Sequence, residues 1–308
     1  MNLQAHTAPV ITTHDLTKRY GTNRGIQHVN LQVERGEIFG FLGPNGAGKS
    51  TTLRLLLGFL HPTSGSSEVL GFNSRTQTVE VHRRVGNLPS EFNLEDRMTG
   101  YDLLSYFARL RGADPSLPLA QTLAERLQAD LHRPMRSLSR GNKQKIGIIQ
   151  AMFHQPDVIV LDEPTSGLDP LIQEEFLDIL SEARAAGQTV FFSSHILAEI
   201  ERVADRVGII RNGELIATED PHILTRRAFR YVRIEFANPP SSERVRHLST
   251  VPGVERVGQD GNTVTCVVKH SFDEVIRFAG SGHVVRFDSE PPSLEEIFLT
   301  YYDGERAG

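Results

Sequence analysis

Residues 43 to 51 read G-P-N-G-A-G-K-S-T, a spacing that suits the binding of a polyphosphate. Gly43, Pro44, Asn45, Gly46, Ala47 and Gly48 form a loop whose backbone N–H groups can converge on phosphate oxygens. Lys49 supplies a point charge to the β- and γ-phosphates, Ser50 a hydroxyl for Mg²⁺, and Thr51 a further phosphate contact. The leucines that follow at 53, 55, 56, 57 and 60 predict a helix, whose positive N-terminal end would face the anion. A second group lies at the end of the apolar run V-I-V-L-D-E, where Asp162 is placed to hold Mg²⁺. Glu163, one residue on, can reach the far side of a γ-phosphate and polarise an attacking water. A third stretch, S-L-S-R-G-N from 137 to 142, reads as a loop opening a helix. There Ser139 and Gly141 leave N–H groups for an anion, a second and incomplete cradle.

The elements needed to position these residues are visible as changes of period. I-F-G-F-L-G before the loop is a short buried strand, P-D-V-I-V-L-D a second and Q-T-V-F-F-S-S a third. Residues 97 to 131 carry helical periodicity and suggest a helical subdomain over about 88–152. R-V-G-I-I-R-N-G-E-L-I-A-T-E-D predicts a hairpin turning at Asn212-Gly213. From residue 228 the order becomes β-α-β-β-α-β, the split-βαβ plan, with a closing helix in P-S-L-E-E-I-F-L-T-Y-Y. The expected organisation is therefore a loose tail at 1–9, an α/β nucleotide-binding domain at 10–227 and a small ferredoxin-like α+β domain at 228–308.

Composition narrows the function classes. Lys and Arg number 33 against 38 Asp and Glu, a net charge of −5, which argues against a partner that is nucleic acid held by charge. No run approaches the length of apolar residues that spans a bilayer, and the N-terminus lacks the basic flank and apolar core of a signal peptide. The single Cys266 cannot form an internal disulfide and sits in an alternating run as a buried strand residue. The 12 histidines include no pair at metal-ligand spacing.

Over residues 10 to 225 these motifs resemble, in order, those of the ATP-binding subunits of ABC transporters. The resemblance assigns Tyr20, in K-R-Y-G, to adenine stacking, residues 43 to 51 to the Walker A loop and L-S-R-G-N to the family signature, usually L-S-G-G-Q. It assigns Asp162 and Glu163 to Walker B and the catalytic glutamate, Asp169 to the D-loop, and His195 to a switch histidine at the γ-phosphate. The fold it implies is a P-loop ATPase of ABC type, with ATP and Mg²⁺ as cofactors. Two such subunits would pair head to tail, so that Ser139, Gly141 and Asn142 of one close over the ATP of the other. A homodimer or a paired ATPase subunit is the expected assembly, docked near residues 88–112 to an integral-membrane permease on a separate chain, at the cytoplasmic face of the membrane.

Two departures from the pattern stand out. Arg140 and Asn142 replace a glycine and a glutamine of the signature, and Ser90, followed by Glu91, stands where the family has a metal-contacting glutamine. Ser90 through water, Glu91, or neither would hold the cation. The texture around 88–100 and the C-terminal P-S-L-E-E-I-F resemble the narrower group of ABC-2 type exporter ATPases, the drug and antibiotic-resistance systems. A soluble ABC-type ATPase acting on ribosomes or DNA is the alternative, although those resembling translation factors carry two ATP modules and the repair type a long coiled coil.

Overall fold

The computed structural model describes residues 8–21, 23–90, 97–112, 117–222, 229–269, 271–290 and 292. The chain divides into two compact units, residues 1–221 and 222–308. This boundary falls before the position 227/228 expected from the change in sequence texture, and residues 223–228 lie outside the described residues.

In the first unit, three strands are buried from end to end. β3 (Ile38–Leu42), β7 (Val158–Asp162) and β8 (Thr189–Ser194) are buried at every position, as expected of parallel strands covered on both faces. With β6 (Val85–Leu88), β9 (Arg206–Arg211) and β10 (Glu214–Glu219) they form a six-stranded sheet in the order β10-β9-β3-β8-β7-β6. Only the β9–β10 pair, the predicted hairpin through Asn212 and Gly213, is antiparallel. Phe39 stacks on Phe191 with ring centroids 5.5 Å apart, and Phe41 tilts onto the same ring at 5.4 Å. A second sheet, antiparallel and ordered β2-β1-β4-β5, comprises β1 (Ile11–Tyr20), β2 (Asn23–Val33), β4 (Ser64–Val69) and β5 (Phe72–Asn73).

The helices follow the predicted period, with one difference in length. α1 (Lys49–Leu56) ends before Leu57 and Leu60 of the leucine pattern, because Gly58 takes φ 70 and turns the chain. After α2 (Thr78–Arg84) and β6, the helical subdomain holds α3 (Gly100–Arg111), α4 (Pro118–Arg126) and α5 (Arg140–Met152). α3 starts with a capping box, Thr99 and Asp102 each serving the other's backbone N–H. α6 (Pro170–Ala185) and α7 (Leu197–Val203) flank β8 in sequence.

The second unit has the expected β-α-β-β-α-β order. β11 (Arg230–Phe236), β12 (Val254–Asp260), β13 (Thr263–Val268) and β14 (Val284–Glu290) form an antiparallel sheet ordered β12-β13-β11-β14, with α8 (Ser242–Leu248) and α9 (Asp273–Gly280) between strands. Val232, Ile234, Phe236, Val264 and Cys266 from the strands pack with Leu248 and Val275 from the helices. Burial pushes the Cys266 thiol up to about 11, so it is a core residue and not a reactive one. The closing helix expected near the C-terminus lies outside the described residues.

His154, just past α5, has its pKa lowered to about 4, first by burial and then by the Arg111 charge. In the unfolded chain this group titrates near its ordinary value of about 6.5. The unfolded state therefore binds the extra proton between the two values, and stability falls as pH drops from about 6.5 to 4, by at most about 3 kcal/mol. His154→Gln should flatten that part of the pH dependence, as measured by urea unfolding at a series of pH values.

Candidate functional site

Three parallel strands end at one edge of the large sheet, and each delivers a polar group there. Leu42 of β3 lies beside Ser194 of β8, and Ser193 of β8 beside Asp162 of β7. The loop 43–48, the pair Asp162-Glu163 and the segment Ser194-His195 thus leave the sheet side by side, at the carboxyl ends where parallel sheets place ligand sites.

The loop takes its shape from glycine. Gly48 is the N-cap of α1 at φ 111, and a Cβ there would lie 2.6 Å from Ile26 Cγ2. Gly46 is also left-handed, at φ 80. No side chain caps α1, so its first N–H groups are left for a ligand. Lys49, only 5% exposed, turns back over the loop. Its Nζ donates to Gly43 O at 2.6 Å and Pro44 O at 3.2 Å, and lies 3.0 Å from Glu163 Oε1.

Glu163 is the hub. Its backbone is left-handed, at φ 50, a conformation costing about 1–2 kcal/mol for a residue with a Cβ. Ser193 Oγ accepts the Glu163 N–H at 2.9 Å and donates to Asp162 Oδ1 at 2.7 Å. The other carboxylate oxygen, Glu163 Oε2, lies 2.7 Å from His195 Nδ1. Lys49, Glu163 and His195 therefore form one continuous polar line. Close by, buried Glu199 accepts from Ser194 Oγ at 2.6 Å, and burial raises its pKa. Ser193, Ser194 and Glu199 were not singled out in the sequence; a run of two serines and a glutamate four residues past a histidine carries no signal until the strand order is known.

Asp162 is 3% exposed, and with the Ser50 hydroxyl it offers hard oxygen ligands of the kind Mg²⁺ takes. Among the described residues no three His, Cys, Asp or Glu side chains gather into a metal cluster. Ser90 lies two residues past β6, the strand that pairs with β7, and is half-buried. Glu91 lies outside the described residues. Tyr20 ends β1, 44% exposed, with Lys18 Nζ over its ring at 5.6 Å.

The remaining candidates are placed elsewhere. Ser139 caps α5, accepting from Asn142 N at 3.2 Å, while Asn142 Oδ1 takes the Asp130 N–H. Asp169 caps α6 by accepting from Ile172 N at 3.2 Å. Among the described residues, no hydrogen bond or ion pair joins Ser139, Gly141, Asn142 or Asp169 to the loop 43–51 of the same chain.

Known families match both units of the chain. The family profile described as ABC transporter matches residues 26–166, and that of the ATP-binding protein DrrA1-3-like C-terminal domain matches residues 226–302. The chain is 38% identical to the bacitracin transport ATP-binding protein BcrA of Bacillus licheniformis, over 97% of this chain and 99% of that one. It is 32% identical to the Nod factor export ATP-binding protein I of Ralstonia nicotianae, over 94% of this chain and 93% of that one. Among solved structures, an ATP-binding subunit of an ABC transporter superposes with a TM-score of 0.65 at 28% identity, covering 70% of this chain and 92% of that one. A bacterial ABC transporter cassette solved as a dimer shares the fold, with a TM-score of 0.64 at 22% identity, covering 68% of this chain and 98% of the cassette.

Ser193 holds two strand ends at once, so removing its hydroxyl leaves a buried carboxylate oxygen and a backbone N–H each short of a partner. Ser193→Ala should destabilise the chain by about 2 kcal/mol in urea unfolding, with Ser193→Thr costing less.

Proposed function

The chain belongs to the ATP-binding proteins of ABC transporters, and we propose that it binds and hydrolyses ATP to drive export through a membrane permease on a separate chain. The observation that carries the reading is the line Lys49–Glu163–His195 at the open end of α1. It joins a phosphate-binding ammonium, a carboxylate able to order water and an imidazole within one contact each.

In this reading Tyr20 stacks on adenine and the N–H groups of 43–48 receive the phosphates. Lys49 leaves Gly43 O, Pro44 O and Glu163 for the β- and γ-oxygens. Glu163, so released, orients the attacking water, and His195 contacts the γ-phosphate. Ser50 and Asp162 hold Mg²⁺, Asp162 being already aligned by Ser193, and Ser90 contributes through water. The ion would neutralise charge on the phosphate oxygens when bound. Ser139, Gly141 and Asn142, which among the described residues make no hydrogen bond to their own phosphate loop, cover the ATP of a second subunit, with Asp169 at the same interface. Association then depends on nucleotide, and hydrolysis releases it.

A surface for the permease is marked by exposed apolar side chains. Phe59, Tyr106 and Leu110 are each more than half exposed. Their elements meet at His82, whose ring lies 5.0 Å from that of Phe59 and whose backbone O accepts from Arg111 of α3. Among the described residues no helix is long and apolar enough to cross a membrane. In this reading the spanning segments belong to the permease and this chain sits at the cytoplasmic face, a placement that the transporter relatives support. The named cargo of the relatives differs, bacitracin in one and Nod factor in another, and the cargo contacts of this system belong to its permease.

Glu163→Gln should retain ATP, dimerise and turn over at least a hundredfold more slowly; parental turnover would assign the water to another group. The mutant, tagged and purified from solubilised membranes with ATP present, should bring down a multi-span protein in comparable amount. Ribosomal or DNA-associated partners without one would favour the soluble alternative. Ser90→Gln should shift the Mg²⁺ dependence of hydrolysis, and an unchanged dependence would remove Ser90 from the metal site.

A further inference from the structure

α5 rests on the segment that carries Glu163. Gln144 of α5, 6% exposed, donates through Nε2 to Glu163 O at 3.2 Å and to Pro164 O at 3.0 Å. One turn earlier, Arg140 donates to Ser166 Oγ at 3.2 Å. Between them Gly141 approaches Gly167 so closely that a Cβ would lie 2.5 Å from its carbonyl oxygen. Positions 140, 141 and 144 thus fasten one side of α5 to residues 163–167 at three points.

Glu163 O also accepts the Ser166 N–H at 3.2 Å, in the turn that follows β7. Gln144 adds a side-chain donor to that carbonyl and supplies one to Pro164 O. Side chains from two elements thus reach the left-handed backbone of Glu163, Ser193 of β8 at its N–H and Gln144 of α5 at its carbonyl.

We propose that Gln144 is a positioning residue for Glu163, transmitting the placement of the signature turn at 139–142 to the catalytic carboxylate of the same chain. The inference rests on the reading that this turn covers a second subunit's ATP. A phosphate drawing on the first turn of α5 then acts, through Gln144, on the left-handed backbone that aims Glu163 in its own site. The half-site lent to a neighbour and the site kept at home are joined by one amide.

The test uses the full-length chain. Gln144→Met keeps the length of the side chain and removes its donor; Gln144→Glu presents an acceptor to two acceptors. For the Met variant, kcat for ATP hydrolysis should fall at least tenfold with KM within twofold, because Lys49 and the loop N–H groups hold the phosphates without Gln144. The Glu variant should regain rate relative to the Met variant as pH is lowered, since a protonated carboxyl can donate to one carbonyl. A Met variant with kcat within twofold of the parent would overturn the inference, as would a kcat loss matched by an equal rise in KM. If the Met variant fails to fold, the pH profile of the Glu variant decides, and a flat profile overturns the inference. A parent without ATP hydrolysis would instead defeat the ATPase reading beneath it.

Discussion

The Lys49 ammonium is the constraint on which the rest of this structure depends. It is almost wholly buried, and a buried cation must be surrounded by acceptors. Gly43 O, Pro44 O and Glu163 Oε1 provide them. The arrangement occupies two catalytic groups with each other, since the carboxylate that would order water is the counter-ion of the lysine that would bind phosphate. His195 extends the pairing on the other carboxylate oxygen. In the function we propose, a γ-phosphate would exchange one set of charge partners for another and free Glu163 as substrate arrives.

Such an exchange requires that Glu163 remain aimed while its side chain changes partners. The fold meets this by holding the backbone and leaving the carboxylate movable. β8 lies between β3 and β7, so Ser193 can bind both Asp162 and the Glu163 N–H. Gln144 holds the next carbonyls from the opposite element. The left-handed conformation at Glu163 is retained because side chains on both sides define it.

How much of this could be read beforehand depended on whether a feature was local in the chain. The phosphate loop, the buried strands, the carboxylates at a strand end and the β-α-β-β-α-β order of the second unit depend on neighbours within a few residues, and the structure places them as the sequence implies. Asp162, Glu163, His195 and Lys49 were identified as a group, but their contacts depend on strand order, which no single stretch encodes. Ser193 and Gln144 were missed for that reason: a serine in a strand and a glutamine in a helix become informative only when β8 falls between β3 and β7 and α5 crosses the end of β7. The end of α1 was placed too late because its leucine pattern continues beyond Gly58, where a left-handed backbone overrides the pattern. Ser139, Asn142 and Asp169 show the converse. Each has a local capping or loop-bracing role that the sequence also permits, and among the described residues none hydrogen-bonds to the home phosphate loop, which supports the proposed role toward a neighbour.

The exchange of partners at Lys49 can be measured without turnover. The affinity of the isolated chain for a non-hydrolysable ATP analogue, determined by calorimetry, should be several-fold tighter in Glu163→Gln than in the parent, because the competing counter-ion is gone and a negative charge beside the γ-phosphate with it. Equal or weaker binding by the glutamine variant would contradict the account, since Glu163 would then not be what the phosphate displaces.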